Sequence, residues 1–146
     1  MTNTITVPMR TTTWDPVTDK RISELDSRVQ QPATNFINNT WMGVKLRVNE
    51  AYRSVEDQDK LYAQGRSAPG NIITNAKGGQ SYHNYGKAID VVIMTNGQPD
   101  WSKPITPDIA AYGKQQGFEW GGDWNTLKDY PHFQMPLGQA VPELQQ

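Results

Sequence analysis

The chain has 146 residues, about the size of one domain, and domains of this length usually bury enough surface to fold without disulfides or a structural metal. Fourteen basic residues against fifteen acidic ones give a formal net charge of -1, which excludes an overall field that would draw the chain onto nucleic acid or an anionic membrane. There is no cysteine, which excludes disulfide frameworks, thiolate metal sites and cysteine nucleophiles, and nowhere do about 18 apolar residues run together to span a bilayer.

Residues 1–17, rich in Thr with a Pro near either end, read as an extended N-terminal arm, and residues 18–146 as one domain. The start, MTNTITVPMR, has no apolar stretch behind a basic head, so no export signal is expected in it. From Thr18 to Trp41, apolar residues at Ile22, Leu25, Val29, Ala33, Phe36 and Ile37 have helical spacing, which Pro32 should kink or split into two helices. Lys45 to Tyr52 alternates like a strand and delivers Arg53 at its end. Ser54 followed by Asp57 marks a helix start, with Val55, Gln58, Leu61 and Tyr62 as its inward face and Gly65 as its stop.

Residues 66–82 hold three Gly and a Pro and read as a long loop of the kind that is usually functional. "AIDVVIM" is a buried strand by its continuous apolar run, and Asn96-Gly97 suits a tight hairpin turn after it. Thr106 and Pro107 begin another helix, with Ile109, Ala110 and Tyr112 as apolar positions and Gly117 as the stop. "FEWGGDW" and "HFQM" supply two short strand-like pieces around a glycine turn. Trp120, Trp124 and Tyr85 could line a cleft or belong to the core, and the sequence leaves that choice open.

The chain has two histidines, and each stands near an acid: His83 seven positions before Asp90, and His132 three after Asp129. Two imidazoles and one carboxylate form the open zinc arrangement of catalytic sites, which keeps a fourth position for water. The ligands would be His83, Asp90 and His132. Such a metal lowers the pKa of bound water from about 15.7 to about 7 and polarises a carbonyl. Asp129 is the candidate base, because its three-residue offset can put it beside the metal without making it a ligand. Arg53 could bind a developing oxyanion or a substrate carboxylate, or serve a structural ion pair with Glu50 or Glu56. Ser81 and Gln58 are candidate substrate-binding donors, and Gly86 and Ala88 are small where a backbone or substrate comes close.

Together, "SYHNYGKAID", "DYPH", "AYRS" with Gln58, "LYAQGR" and "WGGDW" resemble the zinc peptidases that include D-alanyl-D-alanine peptidases and L-alanyl-D-glutamate endopeptidases, the latter branch being that of phage endolysins and bacterial wall-lytic enzymes. The likeness covers about residues 20 to 136, with three separated motifs in the right order. It implies an α+β fold of the hedgehog/DD-peptidase type, a mostly antiparallel sheet flanked by helices with zinc in a cleft over the sheet. It also implies His83, Asp90 and His132 as Zn2+ ligands, Asp129 as base, Arg53 on the scissile carbonyl, and the peptidoglycan stem peptide as substrate. Asp129, where carboxypeptidase relatives often carry Glu, favours the endopeptidase branch.

Two alternatives stay open at this point: a D,D-carboxypeptidase or dipeptidase on D-Ala-D-Ala termini, and a non-catalytic zinc module that binds the wall. The expected protein is a monomer without nucleic-acid partner or membrane span. Lacking a signal peptide, it would be made in the cytoplasm and reach the wall by lysis-type release or dedicated secretion. As a secreted toxin it would need an immunity protein in its producer.

Overall fold

The computed structural model describes residues 10–40 and 43–141. The first nine residues of the expected arm, and Trp41 at the expected end of the helical stretch, lie outside them. The first helix, α1, runs Pro16–Ile22, so the boundary expected at residue 17 falls inside it. Asp15 caps it, accepting from the amides of Val17 and Thr18, with Pro16 at the position whose missing N–H is harmless. The arm's end is docked: the Trp14 indole donates to the Leu46 carbonyl at 3.0 Å, and Arg47 grips Asp15 through Nε and Nη2 at 2.7 and 3.0 Å.

Helix α2 spans Ser27–Asn39 and contains Pro32, so the division into two helices comes at residues 23–26 and not at the proline. Two local facts account for this. Asp26 caps α2, and its own amide donates to the Gly86 carbonyl across the chain, which fixes the corner. Pro32 costs α2 only the bond to the carbonyl of Arg28, an exposed residue that water can serve. The apolar positions read from the sequence, Ile22 through Ile37, are all buried.

Strand β1, Lys45–Glu50, pairs antiparallel with β2, Ala88–Thr95, with an irregularity between Val48 and Glu50. Helix α3, Val55–Ala63, is capped by the Ser54 side chain on the Asp57 amide, as its start motif predicts. Of the four residues expected on its inward face, Gln58 is buried, Leu61 and Tyr62 are half-buried, and Val55 is 43% exposed. The turn Asn96-Gly97, both residues at positive φ, joins β2 to β3, Gln98–Pro99. Helix α4, Pro107–Gln115, begins at its Thr106 cap and buries Ile109 and Ala110. Two short strands follow, β4 at Glu119–Trp120 and β5 at His132–Gln134.

The five strands form one antiparallel sheet in the order β1-β2-β5-β4, with β3 on β2. With the helices this is the α+β architecture expected. Strand alternation then divides the labour. Leu46, Val48, Ile89, Val91, Ile93 and Phe133 enter the core with Phe36 of α2, and the Phe36 and Phe133 rings meet edge-on at 4.8 Å. Each such fully buried side chain stabilises by about 1.5–3 kcal/mol. The opposite side chains of β2 and β5 make the site, and the irregularity after Val48 brings Glu50 to the same face. Register places Glu50, Asp90 and His132 side by side on three neighbouring strands, and Gln134 opposite Glu119 two residues further on.

Candidate metal centre and active site

His83 arrives from a one-turn 3-10 helix, Tyr82–Tyr85, which begins at the last residue of the stretch read as a loop. The Ser81 hydroxyl accepts from the His83 amide, the Asn84 side chain caps in return, and Gly86 ends the turn at φ 66°. A side chain at Gly86 would meet the Asp26 amide nitrogen at 2.8 Å, so its smallness serves the α1–α2 corner and not a substrate. The Arg53 amide donates to the His83 carbonyl, tying the turn to the end of β1.

His83 Nε2 and His132 Nδ1 lie 3.2 and 3.4 Å from the same oxygen, Oδ1 of Asp90. Both rings are buried, at 1% and 5% exposed. Each ring's other nitrogen faces an acceptor: His83 Nδ1 is 2.7 Å from the Ala51 carbonyl, and His132 Nε2 is 2.8 Å from Oε1 of Gln134. A carbonyl cannot donate, so in neutral rings the protons sit on those outer nitrogens and the inner ones are bare. Three lone pairs, all within 4.8 Å of one another, then converge on one point. Only a cation or extra protons can satisfy such a cluster. Two imidazole nitrogens and a carboxylate oxygen, with the outer nitrogens held by hydrogen bonds, suit zinc.

Burial opposes the charge on Asp90, but the two imidazoles, when protonated, hold its pKa well below the usual carboxylate range. For His132, burial disfavours charging, and the hydrogen bond and charge of Asp90 overcome it to raise the ring's pKa. Asp129 behaves oppositely to Asp90. Burial and the Asp90 charge push its pKa up, against the pull of His132, His83 and Arg53. It lines the same cleft without belonging to the three-donor cluster. Gly121 makes that placement possible, since a Cβ there would come within 2.3 Å of the Asp129 carbonyl oxygen.

Arg53 is 11% exposed in its side chain and held from two sides. Glu50 accepts from Nε and Nη2 at 2.8 and 2.6 Å, Gln58 Oε1 accepts from Nη1 at 2.8 Å, and Asp90 Oδ2 lies 3.6 Å from Nη2. Gln58 itself is 1% exposed, and its amide nitrogen donates to the Ala76 carbonyl. The structure therefore sets Gln58 behind the guanidinium, with both ends of its amide engaged, and not in the cleft. Ser81 does line the cleft, as do Arg53, His83, Asp90, Asp129 and His132. The cleft measures about 310 Å³, with Leu61, Ile73, Trp124 and Leu127 as its apolar walls. Trp124 lies against His132 at 5.0 Å between rings, Trp120 is in the core, and Tyr85 is on the surface.

Residues 74–135 match the family model for D-alanyl-D-alanine carboxypeptidase, a segment that holds His83, Asp90, Asp129 and His132. The chain is 43% identical over 108 residues to the peptidoglycan L-alanyl-D-glutamate endopeptidase CwlK of Bacillus subtilis (strain 168), covering 64% of this chain and 62% of that one. The L-alanyl-D-glutamate peptidase of Listeria phage A118 is 32% identical over 95 residues, covering 63% of this chain and 31% of its own. The chain thus spans less than two thirds of the length of these curated relatives. The crystal structure of the Serratia marcescens L-Ala D-Glu endopeptidase ChiX superposes with a TM-score of 0.61 at 25% identity, over 82% of this chain and 86% of that one.

Glu50, Gln134, Glu119 and Gly121 escaped the sequence reading as site residues. Gln134 had a signal: in a strand, the residue two beyond His132 shares its face. Glu50 was visible only as one possible partner of Arg53. Gly121 is needed for a close approach that no short-range pattern announces.

Proposed function

We propose that this chain is a zinc-dependent peptidoglycan endopeptidase that hydrolyses the bond between L-Ala and D-Glu of the stem peptide. The observation that carries the reading is the convergence of three bare acceptor atoms from His83, Asp90 and His132 in a cleft that also holds Asp129 and Arg53. A zinc ion held by those three residues would acidify water and polarise the scissile carbonyl.

The remaining steps belong to the chain's own side chains. Asp129, its pKa raised by burial and by Asp90, takes a proton from water and passes it to the leaving amine. Glu50 and Gln58 engage three of the five N–H donors of Arg53, and the others are free for the carbonyl oxygen as negative charge develops on it. Gln58 contributes through Arg53, by keeping it from rotating. Ser81 accepts from the His83 amide, and its own hydroxyl proton can be donated to substrate. Leu61, Ile73 and Leu127 contact the apolar parts of the peptide.

Among the described residues no helix is long and apolar enough to cross a membrane, and the wall is the proposed site of action. Incubation of purified sacculi with the protein should release fragments that leave L-Ala on the muramic acid, with loss on chelation and recovery with zinc. Asp129→Ala should lower that rate by about 100- to 10,000-fold while zinc still binds. An Asp129→Ala protein that cuts at the normal rate would exclude the assigned base. The second reading, favoured by the description of the matched family model, is a D,D-carboxypeptidase; free D-Ala as the released product would establish it instead.

A further inference from the structure

We propose that Glu119, acting through the side-chain amide of Gln134, sets the proton tautomer of His132 and so decides which of its nitrogens is free to bind a cation. The inference rests on the metallopeptidase reading and adds two positioning residues to it. Gln134 is 2% exposed and stands on the His132 face of β5. Its Oε1 lies 2.8 Å from His132 Nε2, and its Nε2 lies 3.1 Å from Oε1 of Glu119, its register partner on β4.

A glutamine amide can turn over and exchange its donor and acceptor, so by itself it does not dictate a proton position. Glu119 removes that freedom. An ionised carboxylate only accepts, so the NH2 of Gln134 must face Glu119 and the oxygen must face His132. The amide oxygen also only accepts, so the proton of His132 must be on Nε2. Nδ1 is then bare, and it is Nδ1 that faces Asp90 at 3.4 Å. Trp124 and His83, each 5.0 Å from the His132 ring, flank the imidazole, so a ring flip does not offer an easy escape.

The two histidines are therefore oriented by different means. His83 is held by a backbone carbonyl, at Ala51, which no side-chain substitution removes. His132 depends on a side-chain relay that begins at an exposed glutamate on an edge strand, and that relay can be reversed.

Glu119→Lys replaces the terminal acceptor by a donor, at an exposed position where folding is unaffected. The amide should turn over, its NH2 should face His132, and the ring proton should move to Nδ1. Long-range nitrogen–proton correlation spectra of the chelator-treated full chain at about pH 9, where imidazoles are neutral, read this directly. Wild type should show the His132 proton on Nε2 and Glu119→Lys should show it on Nδ1. Zinc affinity, by competition with a chromophoric chelator, should fall about 10- to 100-fold in Glu119→Lys. Glu119→Gln, which can still turn an acceptor oxygen toward the Gln134 amide, should stay within about threefold of wild type, because the supporting hydrogen bond is retained.

An unchanged tautomer and unchanged zinc affinity in Glu119→Lys overturn the relay while a zinc-binding wild type keeps the metallopeptidase reading. A wild type that binds no zinc, yet whose tautomer moves in Glu119→Lys, supports the relay and removes the metal reading.

Discussion

Two aspartates, Asp15 and Asp90, are both withdrawn from water next to cationic or imidazole groups, and they differ in what surrounds them. Asp15 is met by donors alone: the amides of Val17 and Thr18, the Thr18 hydroxyl at 2.8 Å, and Nε and Nη2 of Arg47. None of those donors is tautomeric, so Asp15 is complete as it stands. Asp90 shares one oxygen between two imidazole nitrogens whose protons are drawn away to Ala51 and Gln134. That oxygen is completed only by something positive from outside. The direction of the hydrogens, more than burial or charge, separates a structural carboxylate from a ligand.

The largest expected effects lie at this contrast. Asp90→Asn removes a ligand and should weaken zinc binding by more than the roughly 100-fold that losing a supporting group costs. At about pH 9, where the imidazoles are neutral, the metal-free chain should lose less than about 1 kcal/mol, since a cluster of bare acceptors stabilises little. Asp15→Asn should do the reverse. It leaves a half-buried Arg47 with half a partner, costs about 2 kcal/mol in urea unfolding, and leaves zinc affinity alone. If Asp90→Asn destabilises the metal-free chain as much as Asp15→Asn does, the distinction is broken.

A smaller effect sharpens the comparison within the site. Gly121→Ala sets a methyl where the Asp129 carbonyl oxygen would be 2.3 Å away, so the segment carrying the base must shift. A misplacement of about 1 Å can lower a rate about 100-fold. The catalytic rate should fall by that order while zinc affinity falls less, because the methyl meets His132 Cβ only at 3.1 Å and His132 is also held by its strand pairing and by Gln134. Equal losses of zinc and rate would mean that the base and the ligands move as one unit.

How much of this was legible in the sequence follows from the range of the forces involved. Ser54, Thr106 and Asn96-Gly97 act within a few residues, and their caps and turn stand where the sequence puts them. His83, Asp90, Asp129 and His132 were legible because their chemistry restricts residue type and spacing together. The corner at residues 23–26 was not, since it is set by the Gly86 carbonyl some sixty positions away, while the proline that looked like a break is tolerated. Gln58 was legible as inward-facing, but its partners, Arg53 and the Ala76 carbonyl across the loop, were not. The arm could not be read as docked, because Trp14 and Asp15 meet partners on β1 thirty-two positions on.

The smallest effect concerns the acid side of the Asp15 pair. Burial opposes ionisation of Asp15, but Arg47, Thr18 and the helix amide together hold its pKa below the ordinary value. A folded value below the unfolded one, about 3.9, means that its stabilisation is fully present above that pH and is lost as the pH falls through the folded value. Asp26 is depressed in the same way, to about 2, by its hydrogen bonds with Arg28. The two can be separated by salt. Arg28 is 59% exposed in its side chain, so added salt should weaken its pair with Asp26, whereas Asp15, at 2%, is shielded from it. Urea midpoints measured from about pH 6 down to pH 3 at low and high salt should retain, at high salt, a slope that Asp15→Asn removes. Were the slope to vanish with salt in the wild-type chain, Asp15 would not be the closed, donor-saturated carboxylate that sets it apart from Asp90.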